Sequence, residues 1–595
     1  MKYFILFFGL LSISVLGQYQ VKCQYLLDPS KAIPYVDSCA KFWLASYDST
    51  LGGFYTNVSR NGSVATSSGT QKNMMTQSRN AYGMTRAFML TGNEAYLKKA
   101  SQALNFMYQH AWDNTNGGWY WELDKNGNLT SNSTNKTAFY QHYALLGIIA
   151  YYETTNDTAH WNWLMNGYQS NEQHLWDSRS QYFGYYDTAA NNWTNIRAKS
   201  FNGTVDAITT HLLHLYLMTK SDTYKTRLLQ IVDNMKNHLV ASMSSQKIGF
   251  CEGYDSNWNF DKTDTMTIMG HILKTSWCFA RAYQIVPDTT YLSAAKNLFA
   301  HVMQKGYDAQ YGGPYKDFSR NTGSMLMWGI SDTAKAWWQM EQAVTAGLLL
   351  YEITGDESYL KVADETLNFF MTYFVDHTYG EVYENRARNG AYITSWGDMK
   401  GGSGKAGYHS IELGYYTYLY GNMFYKNQPA SLYYYFSPMT IDRTIALNPL
   451  TSGTLSYKIQ SITRNDTAYT AFSSADRVLN IPAGVGGKFK VTYQPNAASY
   501  ADNGTIKATD FILYQNFPNP FNPSTTIKFH IPALSQVSLK VFDLLGNEVA
   551  ELIHDELQAG SYEKRFVATN LASGVYVYRL VAGSLQIAKK LVIVK

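Results

Sequence analysis

Cysteine is scarce in this sequence: 595 residues contain four, Cys23, Cys39, Cys251 and Cys278. They lack metal-ligand spacing and are too few for a disulfide framework, although a Cys23–Cys39 bridge stays open. Charge of one sign is also lacking. Lysine and arginine total 49 against 45 acids, net +4, with no long run of either sign. That excludes a nucleic-acid footprint and an acidic tail. Beyond the N-terminal segment no stretch reaches ~18 uninterrupted apolar residues, so no membrane span is expected in the mature chain.

Apolar residues make up 45%, ample for packed cores, and the length calls for two or more domains. Aromatics are plentiful at 15%, with 49 Tyr and 14 Trp. Rings on that scale suit a surface that stacks on sugar C–H faces, or a ring-rich core. Residues 1–17 read as a signal peptide: Lys2, an apolar run Tyr3 to Leu16, and Val15-Leu16-Gly17 before Gln18.

A glycine-aromatic turn recurs six times, marked by Gly53, Gly118, Gly184, Gly249, Gly313 and Gly380, at intervals of 65, 66, 65, 64 and 67. A second phrase keeps the same beat, as in Thr91-Gly92-Asn93 and Thr354-Gly355-Asp356, and reads as a turn between two helices. Each repeat holds one helix apolar nearly all round, such as Tyr143 to Tyr152, and one amphipathic helix, such as Tyr359 to Phe374. Six of each in alternation predict a mainly α protein, an (α/α)6 barrel over residues 31–427, with an open solenoid as the competitor.

Strand-like alternation at Thr454–Ile459 and Lys488–Tyr493 predicts a small β module over residues 437–508. A third unit is expected at 512–595. It carries Asn516-Phe517-Pro518-Asn519-Pro520-Phe521-Asn522-Pro523, the turn Asp543-Leu544-Leu545-Gly546, the strand Gly574-Val575-Tyr576 and a lysine-rich end. These motifs resemble the β-sandwich sorting domain of the type IX secretion system. The resemblance implies handling by that machinery as a partner, export from the periplasm across a bacterial outer membrane, and a secreted or surface location.

Polar residues at matching phase should ring one end of the barrel. Counted from each marker glycine, Arg79 lies at +26, Tyr140 at +22, His211 at +27, His271 at +22, Trp337 at +24 and His409 at +29. Inner-helix N-termini point there and favour oxyanions. Three histidines in phase with an Arg and a Tyr suggest proton transfer near neutral pH. A three-histidine zinc site is the other reading, but two-histidine helical spacing is lacking and no metal is expected. His110, His160, His174, His238, His301 and His377 fall on amphipathic segments or turns, where solvation is expected.

Residues 31–427 resemble the N-acylglucosamine 2-epimerase superfamily, which includes cellobiose 2-epimerases and mannose isomerases. The phrases that carry this are Gln77-Ser78-Arg79-Asn80, Gly117 to Trp121, Thr210-His211-Leu212-Leu213, Gly270-His271 with Thr275-Ser276-Trp277, Trp337-Trp338, Gly380-Glu381 and Tyr408-His409. The resemblance implies a cofactor-free isomerase acting at C2 of a ring-opened reducing sugar, a mono- or oligosaccharide. His271 and His409 would be the acid/base pair, and Arg79 would stabilise enediolate charge. Tyr140, His211, Trp337, Trp338 and Glu341 would bind the sugar.

One departure stands out. The family carries a glutamate three residues after its first histidine, where this chain has Lys274. A cation there should weaken proton binding by His271 unless a carboxylate intervenes. Asp264, Glu252, Asp332 and Glu341 are the candidates. Two other readings remain at this stage: a hydrolase or lyase on oligosaccharides, which needs paired carboxylates or an acid with a base, and a non-catalytic glycan-binding protein.

Overall fold

The computed structural model describes residues 19–327, 330–331, 333–450, 457–496, 511–514, 516 and 519–594. The expected signal segment and Asp332 lie outside them. Six inner helices form a ring: α2 Met74–Thr91, α4 Ala138–Thr155, α6 (Phe201–Ala207, a π-helical turn Ile208–Leu212, then Leu213–Thr219), α8 Met269–Ile285, α10 Trp337–Thr354 and α12 His409–Tyr420. Six outer helices alternate with them: α1 Ala32–Leu44, α3 Glu94–His110, α5 Thr158–His174, α7 Asp222–Asn234, α9 Thr289–Lys305 and α11 Glu357–Phe369. The last inner helix, α12, packs on α10, α2 and α1, so the ring closes and the solenoid alternative falls. The inner helices are buried nearly all round. The outer ones bury one stripe, as Tyr96, Leu97, Ala100, Ala103, Leu104 and Met107 do in α3.

The same chemistry starts five of the six outer helices, α1 being the exception. Asn93, Asp157, Ser221, Asp288 and Asp356 accept a backbone N–H two residues on, and Gly92, Asn156, Lys220 and Gly355 end the preceding inner helix in the left-handed conformation.

A lysine–aspartate pair fixes the turn before each inner helix in five of six repeats. The pairs are Lys72–Asp48, Lys136–Asp113, Lys199–Asp177, Lys335–Asp308 and Lys400–Asp376, at 2.7 to 3.3 Å, with every lysine side chain fully buried. Four of these ammoniums also donate to the turn carbonyls of Gly52, Gly117, Gly312 and Gly380. A buried charge survives only when paired and hydrogen-bonded in this way. In the fourth repeat Thr267 stands two residues before the helix, where the others mostly carry lysine, and His301 Nε2 accepts the Gly249 N–H instead.

Short antiparallel pairings stitch this end of the ring together. Asn135–Thr137 meets Thr188–Ala190, Lys199–Ser200 meets Gly253–Tyr254, Met266–Ile268 meets Asp317–Ser319, and Lys335–Ala336 meets Asn385–Arg386. A bridge between Val58 and Gly401 joins the first and last repeats. The inner-helix N-termini are thereby held at a common level.

A β module packs on the opposite end of the ring. Its first strand is Ala430–Phe436, ahead of residue 437, and pairs with Gly487–Pro495, which pairs in turn with Tyr457–Arg464. Lys488 donates to the Gly92 carbonyl and Asn448 to that of Leu217, both at inner-helix ends, and the module's Leu432, Tyr434 and Tyr493 join the barrel core. The C-terminal unit has its own core around Phe529, Val541, Tyr578 and Leu591. One sheet orders Ile512–Leu513, Ser524–Ile531 and Gly560–Val567. The other orders Glu548–Leu557, Ser535–Phe542, Gly574–Ala582 and Leu585–Ile593.

Two expectations need correction. All four cysteines are free and buried, so Cys23 and Cys39 form no bridge. Of the six histidines expected to be solvated, only His377 is exposed. His160 packs against Tyr151 at 4.3 Å, His174 stacks on Trp193 at 4.6 Å and His238 on Trp258 at 4.1 Å. Each ring is covered by an aromatic neighbour on an inner helix or a loop.

Candidate active site

Five of the six phased residues gather at the N-terminal end of the inner ring. Trp337 and His409 are the first residues of α10 and α12, Tyr140 and His271 the third of α4 and α8, and Arg79 the sixth of α2. A continuous chain of contacts links them. Arg79 lies 4.3 Å over the Tyr143 ring and 5.7 Å over Tyr408. Tyr408 meets His409 at 4.1 Å. Trp338 lies 6.0 Å from His409 and 5.2 Å from His271, centroid to centroid, so the two histidines flank one indole. Phe201 stacks on His271 at 3.8 Å; Tyr140 stacks on Trp121 at 5.2 Å and joins the group through Phe139, 5.4 Å from Tyr140 and 5.9 Å from the Arg79 guanidinium.

His211 does not join them. It sits in the π-helical turn of α6, ten residues after the helix begins, and is fully buried. It stacks on His142 at 5.3 Å, and its Nδ1 meets the Thr210 hydroxyl. Burial holds His142 down at about 4, and burial with His142 and His214 nearby holds His211 well below the ordinary histidine range. These are neutral histidines in the barrel wall. Spacing from the glycine misplaced His211 because the hairpins differ in length: 17 residues separate Gly184 from Phe201, but 29 separate Gly380 from His409.

Each of the two remaining histidines has a carboxyl partner. Glu252 Oε2 lies 2.6 Å from His271 Nδ1, while its Oε1 accepts the Ile268 N–H at 2.9 Å. Glu252 precedes the strand Gly253–Tyr254, which pairs with the residues leading into α6, so the hairpin carries the carboxylate to the helix start. Lys274, one turn below His271, is bound to Asp206 and donates to the Tyr143 hydroxyl. Burial opposes charge on Lys274, but Asp206 and Tyr143 outweigh it and its proton is held more tightly than usual. The Lys274 charge is thus paired with Asp206, and Glu252 supplies the carboxylate beside His271. Of the other candidates, Asp264 is bound to Arg320 and Glu341 pairs with His409.

His409 Nδ1 lies 3.3 Å from Glu341. Burial, reinforced by Arg79, Lys274 and Lys405, holds His409 well below the ordinary histidine range. Burial and the neighbouring Glu412 hold the Glu341 carboxyl well above its own range. Two buried carboxyls side by side do not both ionise. Glu412, which accepts from the Tyr82 hydroxyl at 2.8 Å, escaped sequence reasoning, although its spacing three residues after His409 places it on the same helix face. Donor atoms of Glu341, His409 and Glu412 lie within 4.8 Å of one another, so among the described residues these three could hold a cation.

Arg79 commits one N–H to the Gly404 carbonyl at 2.6 Å, while its buried Nε has no protein partner; nor has the Trp337 indole N–H. Buried donors left unpaired are costly, and both sit beside the histidines.

The sequence profile of the N-acylglucosamine 2-epimerase (GlcNAc 2-epimerase) family matches residues 53–412. The chain belongs to this family. A secretion system C-terminal sorting domain matches residues 515–594 and points to export or a surface location. A D-mannose isomerase of Marinomonas mediterranea is 21% identical over 389 residues, covering 63% of this chain and 93% of the relative. A cellobiose 2-epimerase of Bacteroides fragilis is 21% identical over 380 residues, covering 62% and 93%. Among solved structures, the cellobiose 2-epimerase of Spirochaeta thermophila superposes with a TM-score of 0.57 at 19% identity, over 67% of this chain and 97% of its own. Among the described residues, no helix is long and apolar enough to cross a membrane.

Proposed function

We propose that the barrel is a sugar 2-epimerase or isomerase that exchanges the C2 proton of a ring-opened reducing sugar, with no cofactor required. The observation that carries this reading is the pair of histidines flanking Trp338, one bonded to a carboxylate and the other held neutral. Neutral His409 is the base that removes the C2 proton. The Glu252 carboxylate suits the protonated form of His271, which returns a proton on the opposite face. The roles exchange in the reverse direction. Arg79, close enough to depress His409, is assigned the charge that develops on the C1 and C2 oxygens, an oxyanion-hole role, and the unpartnered Trp337 N–H supports that assignment. Trp338, Trp121 and Tyr140 offer rings to the sugar face, and Glu341 keeps His409 oriented.

The hydrolase reading needs two carboxyls facing the sugar bond. Of its four candidates, Asp206 and Asp264 are tied to cations, Glu341 is buried against His409 and Glu412, and Asp332 lies outside the described residues, so the histidine chemistry is the better supported reading. The sorting domain supports handling by the type IX machinery, with residues 1–17 removed during export to the cell exterior. The test is deuterium incorporation at C2 of mannose, N-acetylglucosamine, cellobiose and mannobiose in heavy water. Exchange on at least one sugar is expected; none on any would defeat the proposal.

A further inference from the structure

A groove of about 620 Å³ runs along the outside of the barrel, beside outer helix α5. One wall is the C-terminal half of α5; the other is formed by the turn at Trp112 and Asn116 and the loop at Asn192 and Trp193. None of its lining residues is a lysine, arginine, aspartate or glutamate. Outer helices normally turn charge to water, as Lys98 in α3 and Lys296 in α9 do. The exposed positions of α5 are instead Thr158, Ala159, Asn162, Asn166, Gln169 and Gln173.

Asn166, Gln169 and Gln173 all line the groove, and their i, i+3, i+7 spacing puts the amides in one row about 10 Å long. None of the three side-chain amides makes a hydrogen bond to another described residue. Beneath them the Ser170 hydroxyl, 7% exposed, has no protein partner either. Half-buried Trp112 supplies an apolar surface at one end.

A side-chain amide offers one acceptor and two donors without charge, which matches a pair of neighbouring hydroxyls. A row of uncommitted amides beside an indole, with charge excluded, suits a ligand that is polar, neutral and extended. We infer that this groove is a second carbohydrate site, which holds an uncharged oligosaccharide chain along α5 while the mouth acts on reducing ends. The row spans about two linked hexoses. An exported protein that meets polymeric glycan would be retained on it through this contact, and local binding would raise the effective concentration of chain ends at the mouth.

Isothermal titration of the full chain with cellohexaose and mannohexaose tests the inference, with a hexamer of polygalacturonate as the charged control. At least one neutral hexamer should bind, and the charged one at least tenfold more weakly. Gln169→Ala/Gln173→Ala should weaken that binding at least tenfold while leaving its melting temperature and C2 exchange on disaccharides unchanged. Asn166→Asp/Gln169→Glu, which brings charge into the row without loss of bulk, should do the same. The inference is overturned if neither neutral hexamer binds, if both double variants bind as the parent does, or if the charged hexamer binds as well as the neutral ones. Because disaccharide exchange is measured in the same samples, failure of this site and failure of the C2 chemistry are separately visible.

Discussion

Replacing Glu252 by glutamine is the sharpest perturbation of the proposed chemistry. The carboxylate is fixed from both sides: Oε1 accepts the Ile268 N–H at 2.9 Å, and Oε2 meets His271 Nδ1 at 2.6 Å. Both side chains are about one-seventh exposed, so solvent screens the pair only weakly. Glutamine keeps the size and the acceptor for Ile268, but it turns an uncharged amide towards Nδ1. A hydrogen bond to a charged group contributes about 1.5–3 kcal/mol. Lost from the protonated histidine in the transition state, that amounts to a fall in kcat/KM of roughly tenfold to 150-fold at about 1.4 kcal/mol per decade. Glu252→Asp, which retains the charge, should recover part of the loss. The assay is C2 proton loss in heavy water followed by NMR. An E252Q variant with the parental rate would refute the assignment of Glu252 to His271.

Other outcomes follow from the same geometry. His409 is held below the ordinary histidine range, so the acid limb of kcat/KM should lie below the usual pH of about 6.5; a limb at or above that value would contradict its role as the neutral base. Lys274→Met strands Asp206, already 1% exposed, and should cost about 3–5 kcal/mol in chemical denaturation. Lys136→Met should cost a similar ~3–5 kcal/mol by stranding Asp113 in its turn, with kcat per folded molecule preserved, since the pair lies outside the proposed catalytic group. His142 and His214 are both held at about 4, with His211 also depressed. The unfolded chain therefore binds protons that the folded chain refuses: stability from these groups is complete above about pH 6.5 and lost as pH falls towards 4, at up to ~1.4 kcal/mol per unit for each histidine. Stability independent of pH across that window would refute their assignment as buried neutral residues.

Much of the barrel was legible in the sequence because a glycine-aromatic turn every 65 or so residues fixes the repeat, and helix caps such as Asp288 and Asp356 mark five of the six outer helices. The lysine two residues before most inner helices, and its aspartate four before the glycine of Asp48–Gly52 or Asp113–Gly117, were visible signals too; only the structure pairs them. The site was harder to read because it depends on where helices start rather than where glycines fall. His271 and His409 survived that error because both lie within a turn of a helix start, whereas the short hairpin before α6 carried His211 deep into the wall. Glu252 was one candidate among four, and nothing local to it indicates His271, since a strand pairing nineteen residues from the histidine brings them together. Glu412 was missed, though its i+3 spacing from His409 was on the page.

Proton exchange at C2 by two histidines is tested by proton NMR of mannose, N-acetylglucosamine, cellobiose and mannobiose with the purified protein in heavy water, run beside His271→Ala and His409→Ala. Loss of the C2 proton signal on at least one sugar is expected with the parent protein, and its abolition in both variants. Exchange that persists in either variant, or none with the parent on any of the four sugars, would rule the two-histidine mechanism out.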